Sequence, residues 1–447
     1  MLNTEKIRAD FPPLQQLING QPPIYFDNAC MSLRPKQVIA GMNEYYEKFP
    51  ACGDRSFHLW GEEVTKRCEK ARNDLSRFIN AKSEEVVFVR NTTEGINLVA
   101  QTLFNSFPQS SLGYLGDLPL VITSDKEHNS NLIPWQLLEK QGKIKRVIVK
   151  TNSDGTFNLE AFKKSIKEAQ QSKPTRFPNG STEPSVSVRG PLADAKSPLL
   201  GKGLVSVVYT SNLDGITNPV EEIIKISHQN GFLVLLDAAQ TVPHQKIDVK
   251  KLNYDFLAFS GHKMLGPSGM GALYGKYELL KELPPFLVGG ETVSDTTYET
   301  AQFLEPPHKF EAGLQNYAGI IGFGSAINYL SEAGMENIHQ HELELNAYLD
   351  SQLRSLRQLR QLTILGPADP ALRGGITSFT VEGIDCHKIA LLLNSTANIM
   401  VRSGSFCVHS WFNDKGIKGA VRVSLYLYNT KEEIDILIQT LEKIIKL

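Results

Sequence analysis

The chain has 447 residues, 41% of them hydrophobic, enough to bury a large core; as a prior, that length suits two or three domains, or one large domain with a smaller partner. Its 47 basic and 48 acidic residues leave a net charge of −1 with no long block of like charge, which argues against nucleic acid or an anionic membrane surface as a partner. The opening "MLNTEKIRADFPPL" lacks a signal peptide's apolar segment, and no run of about 18 apolar residues suggests a membrane span, so a soluble, cytoplasmic protein is expected.

Residues 57–78, "FHLWGEEVTKRCEKARNDLSRF", have helical spacing. The strand "EVVFVR" (85–90) follows, then the helical "EGINLVAQTLF" (94–104), the strands "LPLVITS" (118–124) and "KRVIVK" (145–150), and the helical "NLEAFKKSIKEAQ" (158–170). Residues 171–202, rich in Ser, Pro, Gly and Thr, read as a surface insertion. Next come "LVSVVYT" (204–210), a helix over 219–231 opened near Pro219 and closed at Gly231, then "FLVLLD" (232–237), "FLAFS" (256–260) and "GALYG" (271–275). Several of these strands are apolar throughout, as strands covered on both faces of a parallel sheet are. The alternation predicts a doubly wound, mostly parallel α/β domain. Beyond residue 325, one or two long helices over 324–356, short strands at 375–383 and 419–426, and a final helix over 431–446 predict a small α+β domain. The expected division is a large domain over 22–325 and a small one built from 1–21 and 326–447.

Ligands of an open α/β sheet bind outside the carboxyl ends of its strands, so the residues just after each strand carry the information. After "EVVFVR" come Asn91, Thr92 and Thr93 before a helix, where free N–H groups suit an anion; N-capping by Thr explains them equally well. After "LVITSDKE" comes His128, and after "VVYTS" comes Asn212. "FLVLLD" ends on Asp237, followed by Gln240; an Asp ending an apolar strand is often just a helix cap. "FLAFS" ends on Ser260 and leads into His262, Lys263 and a glycine-rich turn. A lysine at the end of a buried strand loses hydration, which lowers its pKa and fits it for Schiff-base chemistry. A pyridoxal phosphate cofactor needs such a lysine, a carboxylate for its ring nitrogen and an anion cradle.

Ten histidines invite a metal reading, but His339 and His341 lie two apart on a helix and do not share a face, and His308 and His387 lack partners at suitable spacing; no metal is expected. The five cysteines (Cys30, Cys52, Cys68, Cys386 and Cys407) form neither a disulfide framework nor a CxxC pair, so each is by default a reduced, small hydrophobe. Trp60 and Trp135 read as packing residues, and Cys386 as the start of a helix.

The segments "YFDNAC" (25–30), "RNTTEGINLVA" (90–100), "EHNSNLIPWQ" (127–136), "LLDAAQTVPH" (235–244), "FSGHKMLGPSGMGALYG" (259–275), "FEAG" (310–313) and "VRVSLYLYNT" (421–430) resemble, in order and spacing, the class V pyridoxal-phosphate enzymes of the aspartate-aminotransferase fold (fold type I). Within them the chain looks like the Suf-type (group II) cysteine desulfurases, over nearly its whole length. The resemblance implies pyridoxal 5′-phosphate linked to Lys263, with Asp237 at the ring nitrogen and His128 over the ring face. Gln240 and Asn212 would contact the ring hydroxyl or the substrate, and Thr92, Thr93, Ser260 and His262 would hold the phosphate. Arg422 would clamp the substrate carboxylate, and Arg402 would order the loop of Cys407, which matches the family's persulfide-forming cysteine. It also implies a homodimer, L-cysteine as substrate and a sulfur-acceptor protein.

Three departures stand out, one of them the length of the insertion at 171–202. Ser405 and Phe406 occupy positions where the family usually has histidines, and "FEAG" continues as Leu314-Gln315-Asn316 instead of Thr-Pro-Asn. Other class V chemistries (C–S lyase, selenocysteine lyase, epimerase, aminotransferase) need Lys263 but not Cys407, and a non-catalytic scaffold needs neither.

Overall fold

A computed structural model describes residues 2–54, 56–105, 118–171, 203–356 and 362–446. The predicted insertion at 171–202 lies, from residue 172 on, outside the described residues.

The strands in chain order are β1 (Ile24–Tyr25), β2 (Val86–Val89), β3 (Leu120–Ser124), β4 (Lys145–Val149), β5 (Gly203–Val208), β6 (Phe232–Asp237), β7 (Phe256–Ser260) and β8 (Gly271–Gly275). Seven of them form one sheet in the order β2-β8-β7-β6-β5-β3-β4. β8 is antiparallel to both of its neighbours and the other contacts are parallel, so six strands point one way and one is reversed. Every residue of β2, β5, β7 and β8 is buried, which explains their unbroken apolar sequence. The edge strand β4 is more exposed.

After the short hairpin of β9 (Val293–Thr296) and β10 (Ala301–Phe303) come the helices Tyr317–Ala333 and Met335–Ser355, separated by Gly334 at φ 82°. They are followed by β11 (Leu362–Ile364), β12 (Ile376–Val381), β13 (Ile399–Met400), β14 (Arg402–Gly404) and β15 (Ala420–Ser424). A second, four-stranded antiparallel sheet has the order β11-β12-β15-β14 and is covered by the helices Cys386–Ala397 and Lys431–Lys446. Cys386 opens its helix, as read from the sequence.

Packing crosses the expected domain divisions. Phe11 and Leu14 are buried in the large core, together with Tyr426 and Tyr428; such burial contributes about 1.5–3 kcal/mol per large apolar side chain. Ile24 and Phe26 belong to the core of the small sheet, where β1 pairs with β13. Ile320, Phe323, Ile327 and Leu330 place the helix Tyr317–Ala333 in the large core, so the division at 325/326 runs through a helix. Trp135 is fully buried against Phe104, but Trp60 is 54% exposed next to the still more exposed Phe57 and Leu59. Among the described residues, no helix is long and apolar enough to cross a membrane.

Candidate active site

The carboxyl ends of β2, β3, β5, β6 and β7 meet the small sheet around a cavity of about 500 Å³. Each of the twelve residues singled out from sequence lines it: Thr92, Thr93, His128, Asn212, Asp237, Gln240, Ser260, His262, Lys263, Arg402, Cys407 and Arg422.

At the anion end, Asn91 caps the helix Thr92–Asn105 by accepting from the Glu94 N–H at 3.0 Å. The capping reading for the threonines therefore fails, and their hydroxyls serve elsewhere. The Thr92 N–H donates to Ser260 Oγ at 2.9 Å, and the two hydroxyls share a hydrogen bond of 2.6 Å. Thr93 shares a hydrogen bond with Ser130, whose N–H donates to His128 Nδ1 at 3.1 Å. That places the proton of neutral His128 on Nε2. Gly271, at the start of β8, lets these loops converge: a Cβ there would stand 2.6 Å from the Phe259 carbonyl oxygen and 2.9 Å from Asn91 Cα.

The lysine turn is fixed on several sides. Gly261 N–H donates to the Met270 carbonyl, and the His262 carbonyl accepts from Ser32 N–H. Burial lowers the pKa of Lys263; Arg422 adds to this, and Asp237 opposes it. Burial raises Asp237 against the pull of Lys263. One Asp237 oxygen accepts from Ala239 N–H at 3.1 Å, so this residue shapes its turn as well as facing the lysine. Burial, aided by Lys263 and Arg422, pushes His128 down to about 3, and burial with Lys263 pushes His262 down to about 4. Both rings are neutral near pH 7.

Arg402 and Arg422 are direct cross-strand partners on β14 and β15. Like charges at such a position repel. Asp27 lies between them, 3.3 Å from Arg402 Nε and 3.4 Å from Arg422 Nη2. Arg402 also donates to Cys30 Sγ. Its hydrogen bonds thus run to the Asp27–Cys30 segment, and the Cys407 turn is held by other residues.

That turn spans Ser405–Val408, closed by the Val408 N–H donating to the Ser405 carbonyl at 2.8 Å. Phe406 (φ 49°) and Cys407 (φ 60°) both lie in the left-handed region, the pattern of a type I′ turn. Such conformations cost about 1–2 kcal/mol per residue for side chains of this kind. Two external donors offset that cost: Asn212 Nδ2 to the Phe406 carbonyl (2.8 Å) and Asn129 N–H to the Cys407 carbonyl (2.8 Å). Phe406 is buried with Leu213, Trp411 and Phe412, while Cys407 is exposed.

Sequence reading passed over Asp27, Asn129, Ser130 and Glu127. Glu127 lies beneath the site and accepts from Asn131 Nδ2 (2.7 Å) and Val208 N–H (2.8 Å). Burial, reinforced by Asp237, pushes it up to about 8. Asn129 and Ser130 directly follow His128 at a strand end, and that position was the available signal. Among the remaining thiols, burial pushes half-buried Cys68 up to about 12.

The sequence profile of the aminotransferase class-V family matches residues 24–172 and 200–437. The chain is 38% identical to a probable cysteine desulfurase of Synechocystis sp. over 98% of its own length and 95% of that protein's. It is 37% identical to a probable cysteine desulfurase of Streptomyces coelicolor, covering 99% of this chain and 97% of the other. Its fold superposes on the apo structure of a cysteine desulfurase from Thermococcus onnurineus NA1 with a TM-score of 0.85, at 33% identity, covering 100% of this chain and 98% of that one. A cysteine desulfurase from Escherichia coli gives a TM-score of 0.78 at 26% identity, with 99% and 98% coverage. With the large mixed sheet, the small sheet and the cavity between them, these matches show that the chain belongs to the class V aminotransferase family, among its cysteine desulfurases.

Proposed function

We propose that the chain converts L-cysteine to L-alanine and takes the sulfur as a persulfide on Cys407. One observation carries this reading: an exposed thiol on a strained, doubly anchored turn faces the same cavity as a desolvated lysine and a carboxylate-ready arginine. The residues fit pyridoxal 5′-phosphate. Gln240 Oε1 and Arg422 Nε are buried without a hydrogen-bond partner among the described residues, and Thr92 and Ser260 present hydroxyls at a helix N-terminus. When bound, this cofactor supplies an electron sink for the substrate's Cα.

Lys263 would hold the cofactor and then keep and return the Cα proton at Nζ, a task suited to a lysine whose pKa burial has lowered. Asp237 would face the ring nitrogen, neutral His128 would cover the ring, and Asn212 and Gln240 would meet its oxygen substituent. Thr92, Thr93, Ser260 and His262 would take the phosphate. Arg422 binds the substrate carboxylate with Arg402 beside it. Cys407 as thiolate attacks the substrate sulfur; the Cβ–S bond breaks with its electron pair left on the substrate, whose Cβ takes up a proton to become the methyl of alanine, and the sulfur stays on the protein as the persulfide. A sulfur-acceptor protein then receives it, as in the supply of sulfur for iron–sulfur cluster assembly, in the cytoplasm. Phe57, Leu59 and Trp60, exposed together on one short segment, support a homodimer, since clustered apolar side chains open to water mark interaction surfaces.

The test is incubation with L-cysteine and a reductant, with alanine and sulfide measured and Cys407 examined by mass spectrometry. One added sulfur on Cys407, absent from the Cys407→Ala variant, is the expected result. Pyruvate and ammonia would mean a lyase that leaves Cys407 idle, and a new amino acid formed from a keto acid would mean transamination. If borohydride fixes no cofactor to Lys263, the enzymatic reading itself is lost.

A further inference from the structure

Phe406 occupies a position of special interest because its ring and its carbonyl face two parts of the site. The ring lies 4.8 Å from the guanidinium carbon of Arg422. The carbonyl accepts from Asn212 Nδ2 at 2.8 Å, and the Asn212 carbonyl accepts from Arg422 Nη1 at 3.0 Å. Arg422, Asn212 and Phe406 therefore form a closed circuit. The circuit fixes the plane of the guanidinium: Nη1 is tied to Asn212, and one face lies on the ring. Among the described residues, Nη2 has only the long 3.4 Å contact to Asp27, and Nε is buried with no partner. The side of the fork formed by Nε and Nη2 is thus left for a carboxylate, the bidentate geometry in which arginine binds strongly.

We propose that Phe406 is a positioning residue that couples occupancy of Arg422 by the amino acid's carboxylate to the placement of the adjacent Cys407 thiol. The inference rests on the desulfurase reading for its substrate, but the second readout of its test does not. Phe406 sits in the left-handed region and directly precedes Cys407 in the turn, so any tilt of the ring is passed to the thiol through one peptide unit. A carboxylate paired with Nε and Nη2 partly neutralises the fixed guanidinium, which weakens its attraction for the ring that packs on its face. The π face matters as well as the bulk, because a buried guanidinium over an aromatic ring gains an attraction that an aliphatic side chain cannot supply. A histidine at this position would carry out the task differently, since it titrates and phenylalanine does not.

The experiment compares Phe406→Leu, which keeps apolar packing against Trp411 and Phe412, with Phe406→Tyr, which keeps the π face. Two readouts are taken on the cofactor-loaded protein. The first is KM and kcat for L-cysteine: Phe406→Leu is expected to raise KM about ten-fold with a smaller change in kcat, and Phe406→Tyr to remain within about three-fold of the original. The second is the alkylation rate of Cys407 by iodoacetamide with and without L-alanine, which needs no desulfuration. That rate is expected to change at least about three-fold on adding L-alanine in the unmodified protein and in Phe406→Tyr, and to lose its response in Phe406→Leu. If L-alanine leaves the alkylation of the unmodified protein unchanged, or Phe406→Leu matches it in both readouts, the coupling is refuted. Absence of cysteine turnover with an intact alkylation response would instead overturn the proposed reaction and leave the coupling standing.

Discussion

Asn129 donates its backbone N–H to the carbonyl oxygen of Cys407 at 2.8 Å, so the residue beside His128 holds the turn that carries the thiol. The Asn129 side chain donates to His409 Nδ1 at 3.0 Å, which grips the same segment on its other side. His409→Ala is expected to slow persulfide formation roughly two- to ten-fold, the value of one hydrogen bond, while cofactor affinity holds. Single-turnover kinetics read by mass spectrometry check this, and an unchanged rate would remove His409 from the account.

Arg422→Lys keeps the charge and loses the fork. Lysine presents a point charge that cannot pair with both carboxylate oxygens in the plane set by Asn212 and Phe406. A charge-assisted hydrogen bond is worth about 1.5–3 kcal/mol, so KM for L-cysteine should rise roughly 10- to 100-fold, with kcat less affected. Steady-state kinetics decide; a KM within about two-fold of the original would place the carboxylate elsewhere.

Thr92→Val removes the hydroxyl shared with Ser260 while keeping size and β-branching. Cofactor affinity, measured by absorbance titration of protein stripped of cofactor, should fall about ten-fold or more, because one donor to a charged phosphate is lost. Equal affinity would show that the phosphate does not sit between these two loops.

The stability of the cofactor-free protein should depend on His128 in acid. Its pKa is about 3 when folded and near the ordinary 6.5 when unfolded, because burial beside Lys263 and Arg422 disfavours the charged ring. The unfolded chain then binds the extra proton between those values. His128's contribution is full above pH 6.5 and is lost as pH falls toward 3, at about 1.4 kcal/mol per pH unit. His128→Gln should flatten the acid limb of urea-unfolding stability by that slope. Parallel pH profiles for the two proteins would contradict the buried, neutral ring.

Much of the site could be read from sequence because Thr92, His128, Asn212, Asp237 and Lys263 follow or close apolar strands, whereas Arg402, Cys407 and Arg422 came only from the family resemblance. Lys263 follows "FLAFS" and Asp237 closes "FLVLLD", and both strands occupy the ranges expected of them. What could not be read depends on which distant segments meet. The Arg422–Asn212–Phe406 circuit joins positions 194 and 210 residues apart, and strand or helix periodicity says nothing about such meetings. Asp27 escaped notice for the same reason: its role comes from two arginines brought face to face by β14 and β15. The exposure of Trp60 was hidden too, since amphipathic spacing tells which face is apolar but not whether this same chain covers it.

The reversed strand β8 has a further effect on the sheet. It separates β2 from β7, yet Thr92, just past the end of β2, and Ser260, the last residue of β7, bond each other over Gly271. β2 is the outermost strand on that side, where a sheet normally frays first. A phosphate held by both hydroxyls would act as a rivet through the border of the sheet, fastening its rim to a strand two places in. Amide exchange in Val86–Val89 should therefore slow when cofactor binds, so that the rim of the sheet reports occupancy of the site.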